Sequence, residues 1–195
     1  MGANVGDRLE TLAAAVHAID DLDGVAVAEV SAVYETPPWP PPDDPRSVTQ
    51  EPYYNLALRA VTSLDPIALL DELQLLERAF GRDRTREVRW GPRMLDIDVL
   101  LYGTREIDDP RLQVPHPRLT ERAFVLVPMS EILPGGELPD GRRLSRLLTD
   151  LAPIEDIEMV VRLEDLPGRT FERPEGPSAP AATFTRPGFD AGEQP

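Results

Sequence analysis

A chain of 195 residues can bury a real core and reads as one domain with a tail, while its net charge of −15 argues against a nucleic-acid binder, which would normally present a basic surface. The absence of cysteine excludes disulfides and thiolate metal sites and suits a reducing cytoplasm; no apolar run approaches the ~20 residues of a membrane span, and the first residues are not a signal peptide. All 20 basic residues are arginine, so a P-loop and a Schiff base, each of which needs a lysine amine, are excluded as well.

The chain opens on Gly2-Ala-Asn-Val-Gly-Asp, a glycine-rich turn with no strand in front of it. Asp7 then caps a helix, with Glu10 in capping-box position and Leu9, Leu12, Ala13, Val16 and Ile19 on one face. His17 lies beside that stripe as an ordinary helix residue. Asp23-Gly24 ends the unit, and Val25 to Tyr34 predicts a valine-rich strand. Residues 35–52 hold seven prolines, at 37, 38, 40, 41, 42, 45 and 52, and so form a long surface loop. Asn55 to Thr62 predicts a second strand. Asp65-Pro66 starts a second helix, whose buried stripe is Ile67, Leu70, Leu73, Leu76 and Phe80, and Gly81 closes it. Gln74 and Glu77 fall on its outer flank, where solvation accounts for them. From Gly81 to Met94 apolar periodicity is lost and charge dominates, which predicts a second loop.

Residues 95–101 have a period of two, with Leu95, Ile97, Val99 and Leu101 on one face and Asp96, Asp98 and Leu100 on the other. This predicts a strand carrying two neighbouring carboxylates. Such a pair repels itself unless a cation sits between its members, and hard oxygen ligands in twos suit Mg²⁺, which keeps waters and takes phosphate oxygens. Arg82, Arg84, Arg86, Arg89 and Arg93 lie just upstream, a guanidinium cluster suited to polyphosphate. The plain alternative is a solvated edge strand with surface salt bridges. Farther on, Leu112 to Pro115 reads as a short extended piece, the segment from Arg122 as a short helix, Leu144 to Leu151 as a last helix, and Ile157 to Leu163 as an added strand. Periodicity alone makes Phe124 a core residue. Pro, Gly, Ala and charge dominate the C-terminal end. The expected organisation is therefore a domain over residues 1–165 and a disordered tail over 166–195. Its element order, βαββαβ, predicts an α+β fold of the ferredoxin-like type, an antiparallel sheet with helices on one face, long loops and C-terminal additions.

The run Arg89-Trp-Gly-Pro-Arg-Met-Leu-Asp-Ile-Asp-Val-Leu-Leu-Tyr-Gly103 resembles the signature of the 6-hydroxymethyl-7,8-dihydropterin pyrophosphokinases of folate biosynthesis. Gly2-Ala-Asn-Val-Gly-Asp-Arg8, Tyr34-Glu-Thr-Pro-Pro38, Tyr53-Tyr-Asn55, Gly81-Arg-Asp-Arg84, Val114-Pro-His-Pro-Arg-Leu119 and Glu121-Arg-Ala-Phe-Val-Leu-Val-Pro128 follow the family's order, so the resemblance covers roughly residues 2 to 150. It implies transfer of pyrophosphate from ATP to the hydroxymethyl oxygen of the dihydropterin, with AMP released, and it makes the long loops active-site loops. By the same resemblance two Mg²⁺ ions sit on Asp96 and Asp98, and Arg82, Arg84 and Arg93 act with them in catalysis. Thr36, Pro37, Trp39, Tyr53, Asn55 and Phe124 are carried over to the pterin. Gln74, Glu77, Arg84, Trp90, Arg93, Ile97, Arg111, His116 and Arg122 are carried over to ATP. Arg86 and Arg89 read as exposed cations. Trp39 stands where relatives often carry another apolar residue, and Gln113 near a position where they often have threonine. The implied partners are small molecules only, with no nucleic acid and no membrane, for a monomer in the cytoplasm. A non-catalytic ATP-binding relative and a palm-like nucleotidyl transferase, which also uses an aspartate pair, are the alternatives. Because Met1 directly precedes the glycine turn, the family's first strand is expected to be missing, which would uncover the apolar face of the first helix.

Overall fold

The computed structural model describes residues 1–40, 44–45, 47–83, 88, 90–154 and 156–166. The chain begins with a two-residue strand, β1 (Gly2–Ala3), followed by α1 (Arg8–Asp20). Asp7 caps that helix by accepting the Glu10 amide at 3.0 Å, as the sequence predicts. Where one long strand is expected over 25–34 there are two, β2 (Val25–Val30) and β3 (Val33–Thr36). The segment expected over 55–62 is likewise divided, into β4 (Tyr53–Asn55) and β5 (Leu58–Thr62). β2 pairs with β5 and β3 with β4, all antiparallel. Both partners break at the same level because Ser31 turns its side chain into the ladder. Its hydroxyl accepts the Ala57 amide at 2.9 Å and donates to the Ala32 carbonyl at 2.8 Å. Leu56 meanwhile gives its amide to the Met1 carbonyl at 3.0 Å.

Next come α2 (Pro66–Ala79), with Pro66 in the first turn, and a small hairpin of β6 (Ile107–Asp109) and β7 (Leu112–Val114). Gly81, at φ +91°, takes the left-handed conformation that releases the chain from α2. The C-terminal half adds α3 (Ala123–Ile132), α4 (Leu144–Asp150) and β8 (Glu158–Val161). The architecture is α+β. Among the described residues, an antiparallel sheet in the order β1-β4-β3-β8 is accompanied by four helices and two smaller two-stranded sheets. One core joins α1 and α2 to the sheet through Leu12, Val16, Leu73, Ala3, Val33 and Leu95; a second gathers α3 and α4 around Leu126, Met129, Leu144 and Ala57. Among the described residues no helix is long and apolar enough to cross a membrane.

Three expectations are corrected. A first strand is present but only two residues long: Gly2–Ala3 pairs with β4 on one side, while Gly2 and Asp96 exchange both backbone hydrogen bonds, at 2.9 and 2.8 Å, on the other. The apolar face of α1 is accordingly covered, with Leu12, Ala13, Ala15, Val16 and Ile19 no more than 2% exposed. The aspartate segment is not a regular strand, because two residues of β1 support only the single bridge at Asp96. Its alternation survives: Leu95 and Ile97 are buried, while Asp96 and Asp98 remain open to solvent. Finally, Glu77 is not on a solvated flank. It is 1% exposed and accepts the Ile97 amide at 2.8 Å, serving as the partner that β1, two residues long, does not supply there. The expected tail from residue 167 onward lies outside the described residues, as do Arg84, Arg86 and Arg89.

Candidate active site

The β1–Asp96 bridge sets the centre of the site. By fixing the backbone at Asp96 it lets two cavities meet at the carboxylates of Asp96 and Asp98, which line both. The first cavity, of about 130 Å³, lies between the ends of β3 and β4, the 90–93 segment and the start of α3. Thr36, Pro37, Trp39, Tyr53, Asn55 and Phe124, the six residues assigned to a pterin by resemblance, all line it. Its floor is rigid. Thr36 is 1% and Asn55 7% exposed, and the Asn55 amide donates to Thr36 Oγ1 at 2.8 Å. Gly2 belongs to this floor, for a Cβ there would come within 2.4 Å of Asn55 Oδ1. The walls are aromatic, with Trp39 and Trp90 edge to face at 6.2 Å and the Arg122 guanidinium over Trp39 at 5.0 Å and over Phe124 at 5.6 Å. Flat rings flanked by cations suit a flat, polar heterocycle.

The second cavity, of about 650 Å³, is wider and more polar. Gln74, Glu77, Ile97, Arg111 and His116 line it, together with Arg82. Trp90, Arg93 and Arg122, assigned to the nucleotide by resemblance, line the first cavity instead, close to where the two join. Periodicity had placed Phe124 in the core; it is half-buried and faces the first cavity.

Charge at the junction is balanced pairwise. Arg82 reaches from the end of α2 to both Glu77 and Asp96, Arg93 Nε lies 3.8 Å from Asp96, and Arg122 Nη1 lies 3.8 Å from Asp98. Arg122 Nε is buried without a hydrogen-bond partner. Burial is also the main cause that lowers the Arg122 pKa, with the Asp98 charge opposing it. For His116, burial again dominates and pulls the pKa below the usual histidine value, Asp98 counteracting and Arg122 reinforcing. The imidazole is therefore neutral at pH 7. Its Nδ1 accepts the Arg118 amide at 3.2 Å, which leaves Nε2–H as its remaining donor. Arg111 is exposed and ion-paired to Asp71.

Two carboxylates are a sparse donor set, and among the described residues no group of three or more His, Cys, Asp or Glu side chains could hold a metal. That set fits Mg²⁺, which rarely uses an all-protein cage and completes its shell with water and phosphate oxygens.

Residues 1–134 match the model of the 7,8-dihydro-6-hydroxymethylpterin-pyrophosphokinase family. The chain belongs to that family. It is similar to 2-amino-4-hydroxy-6-hydroxymethyldihydropteridine pyrophosphokinases of Pseudomonas aeruginosa (42% identity over 158 residues, 81% of this chain and 92% of that protein) and Methylorubrum extorquens (44% over 141 residues, 70% and 84%). A third relative of the same name, from Bacillus subtilis, is 44% identical over 132 residues, 68% of this chain and 74% of that protein.

Two residues that tie together segments bordering the first cavity escape pattern reading, Asn4 and Gln50. Asn4 is 4% exposed, and its side chain bridges Gln50, the Glu51 carbonyl and the Arg93 amide. Its only sequence signal is its place in the Gly2–Arg8 motif. Gln50 has none, because its partner in the 90–93 segment is the Trp90 carbonyl, a backbone group that any residue could offer.

Proposed function

We propose that the chain catalyses transfer of the β,γ-pyrophosphoryl group of ATP to the hydroxymethyl oxygen of 6-hydroxymethyl-7,8-dihydropterin, giving the pterin diphosphate and AMP. The observation that carries this reading is the meeting of an aromatic cavity and a polar, arginine-bearing cavity at Asp96 and Asp98. The aromatic cavity takes the pterin and the polar one the nucleotide. The buried Asn55 and the backbone around Thr36 hydrogen-bond the pterin edge, while Trp39 and Phe124 flank its faces.

The new bond forms between the hydroxymethyl oxygen and the β-phosphorus, and the bond from the β-phosphorus to the α,β-bridging oxygen breaks. That oxygen leaves with AMP, and the hydroxyl proton passes to solvent. Asp96 and Asp98 hold magnesium, as two ions, which when bound offsets phosphate charge and makes the attacking hydroxyl more acidic. Arg93 and Arg122 stand at the junction, where negative charge grows on the β-oxygens, and stabilise it in a partly desolvated setting. Arg82 and Arg84 add to that stabilisation. Neutral His116 offers Nε2–H to the leaving α-phosphate, beside Gln74, Glu77, Ile97 and Arg111 on the nucleotide side, with Trp90 bordering both substrates.

The same reading places residues 1–165 in one monomeric cytoplasmic enzyme domain of the ferredoxin-like plan. The order Asp96 segment, β1, β4, β3, with α1 and α2 sharing one core, supports that plan. Incubation with Mg-ATP and the dihydropterin tests the function. AMP in step with the pterin diphosphate supports it; pyrophosphate would point to a nucleotidyl transferase, and no product to a binding protein.

A further inference from the structure

Phe124, Pro128 and Glu131 stand at i, i+4 and i+7 of α3, so one face of the helix presents all three. The first two line the first cavity. The third points to the sheet, where its carboxylate gathers donors from separate segments. Glu131 Oε1 accepts the hydroxyl of Tyr34, in β3, at 2.6 Å. Its Oε2 accepts Nη2 of Arg162, just past β8, at 2.7 Å, and the Ala32 amide at 3.4 Å.

The chemistry of α3 explains why such a hold is needed. Pro128 has no amide to give the Phe124 carbonyl, so the hydrogen bond that would fix the first turn is missing. No side chain caps the helix at Arg122 either. β8, for its part, buries little of itself, with Met159 62% and Val160 41% exposed. Its ladder to β3 sets Met159 opposite Tyr34 and Val161 opposite Val33, which delivers Arg162 beside Glu131. β8 also lies beyond residues 1–134, the part that the family model matches.

We propose that Tyr34 and Arg162 are positioning residues: by holding Glu131 they fix α3 against β3, and so set the separation of Phe124 and Pro128 from Thr36 across the first cavity. The C-terminal strand thereby serves the pterin side of the enzyme, through a guanidinium rather than through its own apolar surface. This rests on the pterin assignment proposed above.

Four variants of the full chain test it. Arg162→Ala is the mildest cut, since that side chain is 44% exposed, and Tyr34→Phe removes a single hydroxyl. Glu131→Gln keeps an acceptor oxygen that Glu131→Ala loses. Calorimetry well below the unfolding temperature should show dihydropterin affinity falling by roughly three- to tenfold in Arg162→Ala and in Tyr34→Phe, the scale of one hydrogen bond. Affinity for a non-hydrolysable ATP analogue should stay at the wild-type value, and Glu131→Gln should lie closer to wild type than Glu131→Ala. Acrylamide quenching of Trp39 and Trp90, the protein's two tryptophans and both in the cavity wall, reads the same slackening without any ligand and should increase. A lower melting temperature with dihydropterin affinity and quenching both unchanged would make these residues structural only and overturn the proposal. An equal loss of affinity for both ligands would overturn it as well. If the wild type binds no dihydropterin while quenching still rises in the variants, the pterin assignment is wrong and the positioning of α3 stands; with quenching unchanged, both fail.

Discussion

Replacing Glu77 by alanine removes a carboxylate that is 1% exposed and serves two partners at once. One is the buried Ile97 amide, 2.8 Å away, between the two aspartates; the other is Arg82, whose side chain is only 9% exposed. A buried donor left unmet costs about 1–3 kcal/mol. Breaking a buried ion pair costs about 3–5 kcal/mol when one charge is stranded, but Arg82 keeps Asp96, so only part of that applies. The sum is about 3–5 kcal/mol, which for a domain of this size lowers Tm by roughly 10 °C at about 2–4 °C per kcal/mol. Glu77→Gln retains an oxygen for the Ile97 amide and loses only the charge, so it should fall between alanine and wild type. Urea unfolding followed by circular dichroism, with thermal melts alongside, measures all three proteins. If Glu77→Ala keeps the wild-type urea midpoint, Glu77 is the solvated helix residue that periodicity suggests, and the account of the aspartate segment fails.

Asp98→Asn should leave stability near wild type, since Asp98 is exposed and its nearest cation stands at 3.8 Å, and should abolish turnover. Asp96→Asn should abolish it as well. Retention of more than a tenth of wild-type kcat by either, a loss of only ~1.4 kcal/mol, would rule out the paired-ligand role. The two cavities also predict a split in binding. Phe124→Ala should raise KM for the dihydropterin without changing calorimetric affinity for an ATP analogue, and Gln74→Ala should do the reverse; the same loss of nucleotide affinity in both would contradict the assignment. At high pH, burial and then the hydrogen bond to Glu131 push the Tyr34 pKa up to about 12 from 10.0. A raised pKa gives stability that is complete below pH 10 and is lost as pH rises toward 12. Tyr34→Phe should flatten the wild-type decline in that window, as read from denaturant midpoints at stepped pH.

Local chemistry was enough to read several parts of this protein from its sequence. Asp7 with Glu10 marks the start of α1, Asp65-Pro66 the start of α2, and the period of two over 95–98 tells which side chains face the core, though Leu100 and Leu101 both pack inward beyond it, because cap and alternation depend on residues a few positions apart. The motif around Asp96 and Asp98 likewise marks the site, since the side chains that resemble the family's are contiguous. Tertiary structure alone decided how those pieces meet. That Ser31 divides two strands, that two residues of β1 suffice to anchor Asp96, and that Glu77 turns inward all depend on hydrogen bonds to backbone groups 20 or more residues away. Such partners carry no side-chain signature. The same holds for Asn4 and Gln50: their oxygens and amides are satisfied by chain segments that only the folded sheet brings together.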